Sequence, residues 1–377
     1  MWGCFMKRIL HISKYYYPFI GGIEQVARDC ILALKDDYEQ KVICFNHEKG
    51  NKIDKVDDIE ITRVHCQMKV ASQSIAISYK KQLKKIIKEY KPDIVIFHYP
   101  NPFVAHSLLK LRKKKTFKLY IYWHLDITKQ KVLGKFFHGQ NKRLIKMADK
   151  ILGTSPVIIE KSRYHEYFKD KAINLPLAIN QDRLMISKEE IEKSKVIKNN
   201  NKGKTICFAI GRHVPYKGME YLIRASKLLN DNYKIYIAGQ GPLTECLKKL
   251  AADDSKIEFL GKISDSEWRS YLNACDIFCF PSITKNECFG LALAEAMYYK
   301  KSAVTFHIEG SGVNYVALKD ETCLECDNQN YEQFANAIKK LSSDKNLASK
   351  LGEAGYKRVM SNFTFNEFKN NIKKNIR

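Results

Sequence analysis

Nowhere in the 377-residue chain do eighteen or more uncharged apolar residues occur in succession, so a membrane-spanning helix is not expected. The apolar run inside the opening MWGCFMKRILHIS is also too short for a secretory signal. A second cysteine pair is missing. Cys323 and Cys326 form a CxxC, but zinc would need a further ligand pair at matching spacing and a thioredoxin-like motif its own fold context. No metal site is expected. The eleven cysteines are odd in number and scattered through apolar stretches such as Ile43-Cys44-Phe45 and Phe278-Cys279-Phe280, as reduced core residues of a cytosolic protein are. Long biased segments are absent too, and with 45% hydrophobic and 28% charged residues the chain has the composition of a folded globular protein.

Acidic residues are scarce, 41 against 65 basic ones, which leaves a formal charge of +24. Residues 1–200 hold 39 basic and 21 acidic side chains and residues 201–377 hold 26 and 20, so the excess lies in the N-terminal half. Such asymmetry points to an anionic partner there, phospholipid headgroups or nucleic acid. Nucleic acid is disfavoured because no recognised binding motif appears and the basic residues fall on predicted helix exteriors rather than among exposed aromatics.

The length fits two domains. Short apolar runs alternate with helical periodicity: Ile9-Leu10-His11-Ile12, a helix over 23–34, Val42 to Phe45, Ile59 to Ile61, a lysine-rich helix over 78–90, Asp93 to Phe97, a helix over 103–114, Leu119 to Trp123, a helix over 131–147, and Lys150 to Gly153. That is the pattern of a doubly wound parallel sheet. The stretch 183–204 is charged and Asn-rich and reads as a solvated linker. A second βα series follows, with strands over 205–210, 234–238, 256–260 and 276–280. The expectation is therefore α/β, two Rossmann-like domains facing across a cleft. They would cover 1–190, with a C-terminal helix over 361–377 returning to it, and 191–360.

Chemistry concentrates after two strands of the second series. Glu287-Cys288-Phe289-Gly290-Leu291-Ala292-Leu293-Ala294-Glu295 follows the strand ending Phe280-Pro281-Ser282, placing one carboxylate on a loop and another two turns into the next helix. Carboxylates accept hydrogen bonds from vicinal hydroxyls, so such a pair suits a sugar and a ribose. Gly211-Arg212-His213-Val214-Pro215-Tyr216-Lys217-Gly218 follows the first strand, and Arg212 and Lys217 could stabilise a departing diphosphate without a metal. In the first series Pro18-Phe19-Ile20-Gly21-Gly22-Ile23-Glu24 joins strand to helix, and paired glycines let a backbone approach phosphate.

These segments, with Ala238-Gly239-Gln240-Gly241-Pro242, together resemble glycosyltransferase family 4, retaining enzymes of the GT-B fold that include bacterial lipopolysaccharide and capsule glycosyltransferases. The resemblance covers nearly the whole chain. It implies that Glu295 binds the donor ribose, that Glu287 faces the transferred sugar near its anomeric centre, and that Phe289 and Gly290 offer backbone amides. It further implies that Arg212 and Lys217 hold the diphosphate, that Gly21 and Gly22 serve the acceptor side or distal phosphate, and that Gly241 and the Gly261-Lys262-Ile263 turn meet the base. Tyr122-Trp123-His124-Leu125-Asp126-Ile127 resembles the family's strand-end histidine segment, which makes His124 a third catalytic candidate. Around Tyr298 to Val304 and Glu309 to Gly312 the chain departs from the family pattern, leaving the donor sugar open.

The expected function is transfer of a hexose from a UDP- or GDP-linked donor, a substrate rather than a cofactor, to a hydroxyl of a lipid-linked glycan, by a metal-independent front-face route. A soluble sugar acceptor, or a non-catalytic nucleotide-sugar-binding protein, are the alternatives. The lysine-coated helix over 78–90 and the run Lys110 to Lys115 suit an anionic membrane surface, so the expected place is the cytoplasm, peripheral to the inner face of the membrane.

Overall fold

The computed structural model of the chain describes residues 6–19, 21–70, 73–112, 116–126 and 131–376, with only the backbone for 69, 70 and 131–136. Of the features read from sequence, the opening MWGCF, Ile20, Lys113 to Lys115 and Ile127 lie outside the described residues. The chain divides into two compact units, Met1–Leu177 with Phe368–Arg377, and Ala178–Glu367.

The first unit holds an eight-stranded sheet built from β1 (Arg8–Ile12), β2 (Glu39–Asn46), β3 (Lys52–Val56), β4 (Ile59–His65), β7 (Ile94–Tyr99), β8 (Lys118–Trp123), β9 (Lys150–Gly153) and β10 (Ala172–Asn174). A separate hairpin pairs β5 (Met68–Val70) with β6 (Gln73–Ile75). The sheet order is β10-β9-β8-β7-β1-β2-β4-β3, parallel throughout except for β3 against β4. Since β1 pairs β2 on one side and β7 on the other, the winding reverses at β1, and the crevice at its carboxyl end is where ligands enter such sheets. Every residue of β7 is buried, the continuous apolar run of a strand covered on both faces. Val95, Phe97 and Tyr99 pack with Leu119, Ile121 and Trp123 into the main core. His98 and Tyr122, in register on β7 and β8, point the other way.

The C-terminal helix Phe365–Asn375 is tied to this unit through Lys369 and Lys373, which pair with Asp36 and Asp37, and through the Tyr38 hydroxyl, which donates to Ile376 O at 2.6 Å.

The second unit is a wholly parallel six-stranded sheet of β11 (Thr205–Ile210), β12 (Tyr233–Ala238), β13 (Ile257–Gly261), β14 (Ile277–Phe280), β15 (Ser302–Phe306) and β16 (Leu324–Cys326), in the order β13-β12-β11-β14-β15-β16. Its winding reverses between β11 and β14, so the loops after these two strands share one crevice. The CxxC flanks and ends β16, where burial pushes both the Cys323 and Cys326 thiols up to about 12.

Two expectations need correction. Residues 183–204 are no linker: a helix runs Lys188–Asn200, and the boundary expected at 190/191 falls inside it. Sequence periodicity missed it because polar contacts hold it. A capping box joins Ser187 and Glu190, Arg269 grips the buried Glu190 carboxylate at 2.7 and 3.0 Å, and Ser194 donates to Ser270 O on the helix Asp265–Ala274. The strand KIDKV (β3) was also unread, because it is an edge strand with charges on both faces; Asp54 pairs with buried Arg63 at 3.0 Å.

Candidate functional site

In the second unit the loop from Gly211 to Gly218 leaves β11 and ends in a 3-10 turn, Pro215–Lys217. Gly218 then takes φ +60°, and a Cβ on it would stand 2.0 Å from Pro281 O, so only glycine lets this turn lie against the loop that leaves β14. That close approach brings Lys217 to Glu287. The ammonium bonds Glu287 Oε2, to which the Ser282 hydroxyl also donates at 3.1 Å. Both charged side chains are only 13% and 12% exposed. Burial works against the Lys217 charge, yet the Glu287 carboxylate, with Tyr216 and Cys288 adding to it, offsets that cost and holds the amine above its ordinary value. The chain bearing Glu287 is itself fastened: the Ser311 hydroxyl donates to Glu287 O and Gly312 N to Cys288 O at 3.1 Å. The Glu309 to Gly312 loop, where the sequence departs from the family pattern, therefore sets the Glu287 backbone.

Gly290, at φ +89°, turns this chain into the helix Leu291–Tyr298, which starts without a side-chain cap. Its first N–H groups are unmatched by any side chain there, the usual opening for an anion. The Phe289 side chain does something else: it is buried and packs edge-on against Phe363 at 5.3 Å, so only its backbone remains as a ligand group.

Glu295, one turn into that helix, does not meet Glu287's partners. Arg183 Nη1 donates to Glu295 Oε1 at 3.1 Å, while the same guanidinium grips Asp265 through Nε and Nη2 at 3.0 and 3.1 Å. Burial pushes the Glu295 carboxyl up to about 7 against the pull of Arg183, with Asp265 adding to the rise. Sequence reasoning missed Arg183, which lies inside the stretch read as linker; Ser282 was legible as the strand-end residue but had no assigned partner.

Arg212 is exposed and forms no ion pair with any described residue. The structure thus brings Lys217, Ser282 and Glu287 together and leaves Arg212 beside them without a contact. Gly241 serves loop packing: a Cβ there would sit 2.4 Å from His213 O, and its N–H donates to Thr244 Oγ1 at 2.9 Å. The turn after β13 is held by Gly239 N donating to Gly261 O at 2.7 Å, with Ile263 half-buried two residues on.

In the first unit Gly21 and Gly22 start the helix Gly22–Leu34 after β1. Gly22 is open, but a Cβ on Gly21 would meet Glu24 Oε2 at 2.3 Å. The buried Glu24 carboxylate folds back on the helix start and accepts from its own N–H and that of Tyr15, so the chain supplies an anion of its own here; burial raises its pKa and these donors pull it back.

His124 directly follows β8 at 3% exposure, stacked on Tyr122 with centroids 4.7 Å apart, and its Nε2 lies 3.3 Å from His98 Nδ1. Burial lowers its pKa to about 3, so the ring is neutral at physiological pH and is fitted to hydrogen bonding rather than to donating a proton as imidazolium. Asp126 is structural: it accepts from Trp123 Nε1, Ser162 Oγ and Arg163 N, each at 2.9 Å. Among the described residues no three His, Cys, Asp or Glu side chains gather as a metal site.

Two α/β units, each with charged loops where the winding of its sheet reverses, make up the fold, and the comparisons with known proteins give its family. Residues 22–155 match the glycosyl transferase 4-like model and residues 190–358 the model for glycosyl transferases group 1. The chain belongs to the glycosyltransferases of these groups, with the GT-B fold. It is 24% identical over 365 residues to the O-antigen chain mannosyltransferase C of Escherichia coli, covering 95% of this chain and 94% of that one. It is 26% identical to the D-rhamnosyltransferase WbpZ of Pseudomonas aeruginosa, covering 95% and 92%. In fold it is similar to sucrose-phosphate synthase from Thermosynechococcus elongatus, with a TM-score of 0.80 at 17% identity over 98% of both chains.

Proposed function

We propose that this glycosyltransferase moves a hexose, with retention, from a UDP- or GDP-linked donor to a hydroxyl of a lipid-linked glycan in surface polysaccharide synthesis. The observation that carries this is the buried Lys217–Glu287 pair where the loops after β11 and β14 meet. A diphosphate at the uncapped start of the helix Leu291–Tyr298 lies within reach of a cation already desolvated for it. The bond from the anomeric carbon to the phosphate oxygen breaks and its electron pair leaves with the nucleoside diphosphate, whose charge Lys217 and Arg212 stabilise in place of a metal. The acceptor oxygen attacks the oxocarbenium-like carbon from the same face and its proton passes to the departing phosphate. Glu287 lies along the sugar, Glu295 takes the ribose, and neutral His124 bonds a hydroxyl of the transferred sugar. Gly21, Gly22 and the Gly241 and Ile263 turns border the acceptor and the base.

The test is a panel of UDP- and GDP-sugars with the purified chain. One donor is expected to be hydrolysed slowly without acceptor, at a rate unchanged by EDTA. Failure of every donor with a folded protein, or loss of the rate on chelation, would count against the reading.

A lipid-linked acceptor fits the relatives that are named for O-antigen chain and rhamnose transfer. It also fits the helix Tyr79–Tyr90, whose Lys80, Lys81, Lys84, Lys85 and Lys88 are all exposed while Leu83 is buried. No described helix is long and apolar enough to cross a membrane. At about 1 kcal/mol per cation near an anionic surface, this face supports peripheral binding at the inner leaflet. Sedimentation with phosphatidylglycerol vesicles at low salt is expected to pull the protein down, and replacing the five lysines by Gln to release it. An unbound wild-type protein would refute membrane docking.

A further inference from the structure

Arg183 belongs to none of the motifs that mark the site, yet its guanidinium, although 45% exposed, is held by several partners. It lies in the short helix Gln181–Leu184, with its centre 4.9 Å from the Trp268 ring and two of its nitrogens on Asp265. The backbone on either side is pinned: Arg269 Nη1 donates to Arg183 O at 2.8 Å and the Tyr299 hydroxyl to Leu184 O at 2.6 Å. The remaining nitrogen, Nη1, donates to Glu295 Oε1 at 3.1 Å. Among the described residues no donor reaches Glu295 Oε2.

We infer that Arg183 is a positioning residue for Glu295: it occupies one carboxylate oxygen and leaves the other aimed, as an ionised acceptor, at a ribose hydroxyl of the nucleotide. The inference rests on the proposed role of Glu295. The row of charges explains why a cation beside a binding carboxylate does not spoil it. Asp265 neutralises Arg183 from its far side, so Glu295 keeps its own charge for the ligand. Arg183 and Asp265 face Glu295 from neighbouring elements and Tyr299 from its own helix, while Arg269 and Glu190 act on Tyr299. Of these Arg183 is the group that favours ionisation of Glu295, against a burial that has already moved the carboxyl to about 7. Loss of Arg183 therefore raises that value further, and near neutral pH the carboxyl would turn from acceptor into donor.

The experiment is calorimetric titration of the full chain with UDP, GDP and their 2′-deoxy analogues between pH 6 and 9. Wild type should prefer the ribonucleotide by about tenfold, the worth of a hydrogen bond to a charged group. In wild type that preference should set in as pH rises through about 7; in Arg183→Ala its onset should move to higher pH, so that the preference is weak where wild type already shows it and returns only toward pH 9, and Arg183→Lys should restore most of the wild-type profile. Glu295→Gln should lack the preference at every pH. If Glu295→Gln discriminates like wild type, the ribose role of Glu295 falls and this inference with it. If Glu295→Gln loses discrimination while Arg183→Ala keeps the wild-type pH profile, or is weakened equally at all pH values, only the role of Arg183 is overturned.

Discussion

Lys217→Ala is expected to lower the transfer rate by about a thousandfold, the scale of removing a donor preorganised for developing negative charge. The side chain is nearly enclosed and held by Glu287, so no exposed lysine can take its place and little bulk water can enter to screen the phosphate. Removing it also strands the Glu287 carboxylate, with Ser282 as its remaining side-chain donor. Breaking a buried pair from one side destabilises by about 3–5 kcal/mol, less here because both groups retain some exposure. Rate loss and unfolding must therefore be separated. Glu287→Gln keeps the shape and the Ser282 bond but leaves the Lys217 ammonium without its carboxylate, so it should lose at least a hundredfold in rate with a smaller drop in melting temperature than Lys217→Ala. Single-turnover rates and thermal melts of both variants check this; turnover within tenfold of wild type in either one overturns the assignment.

The second large effect concerns acid. Burial lowers His11 to about 4, against a hydrogen bond from its Nε2–H to Gln40 Oε1 that raises it, and His124 to about 3. His98, stacked between them, is held well below its ordinary value by burial and by both neighbours. An unfolded imidazole titrates near 6.5, so between that value and the folded one the unfolded chain holds more protons. The stability these rings contribute is whole above about pH 6.5 and drains away as pH falls toward 4. Asp29 and Glu295, pushed by burial up to about 7, run the opposite way in the same window, so the wild-type curve is shallower than the histidines alone would make it. The difference between variants isolates the effect. Between pH 7 and 5, His98→Asn/His124→Asn should gain about 4 kcal/mol relative to wild type, roughly 2 kcal/mol for each imidazole removed. Urea midpoints at the two pH values measure it, and parallel shifts of variant and wild type would disprove it.

Legibility varied with the kind of contact that holds each element. Strands such as β7 and β14, buried on both faces, announce themselves as apolar runs because period and burial coincide. The helix Lys188–Asn200 carries no such signal: its buried partners are Glu190 and Ser194, and which distant residue neutralises a glutamate cannot be seen in its own neighbourhood. The same applies at the site. Glu287 and Lys217 were visible from loop positions after strands, whereas their contact depends on a glycine on which any Cβ would stand 2.0 Å from another loop's carbonyl oxygen. Glu24 closes the Gly21-Gly22-Ile23-Glu24 motif, yet its folding back onto Gly21 is visible only in three dimensions.

The sequence by itself determined the two parallel α/β series, the family, and which loops carry charge, because alternation, glycine placement and strand-end polar residues are local properties of the chain. The tertiary structure alone decided which charges meet. Lys217 with Glu287 and Arg183 with Glu295 are pairs 70 and 112 residues apart. Their protonation follows from burial, which no local pattern encodes and only the packed fold creates.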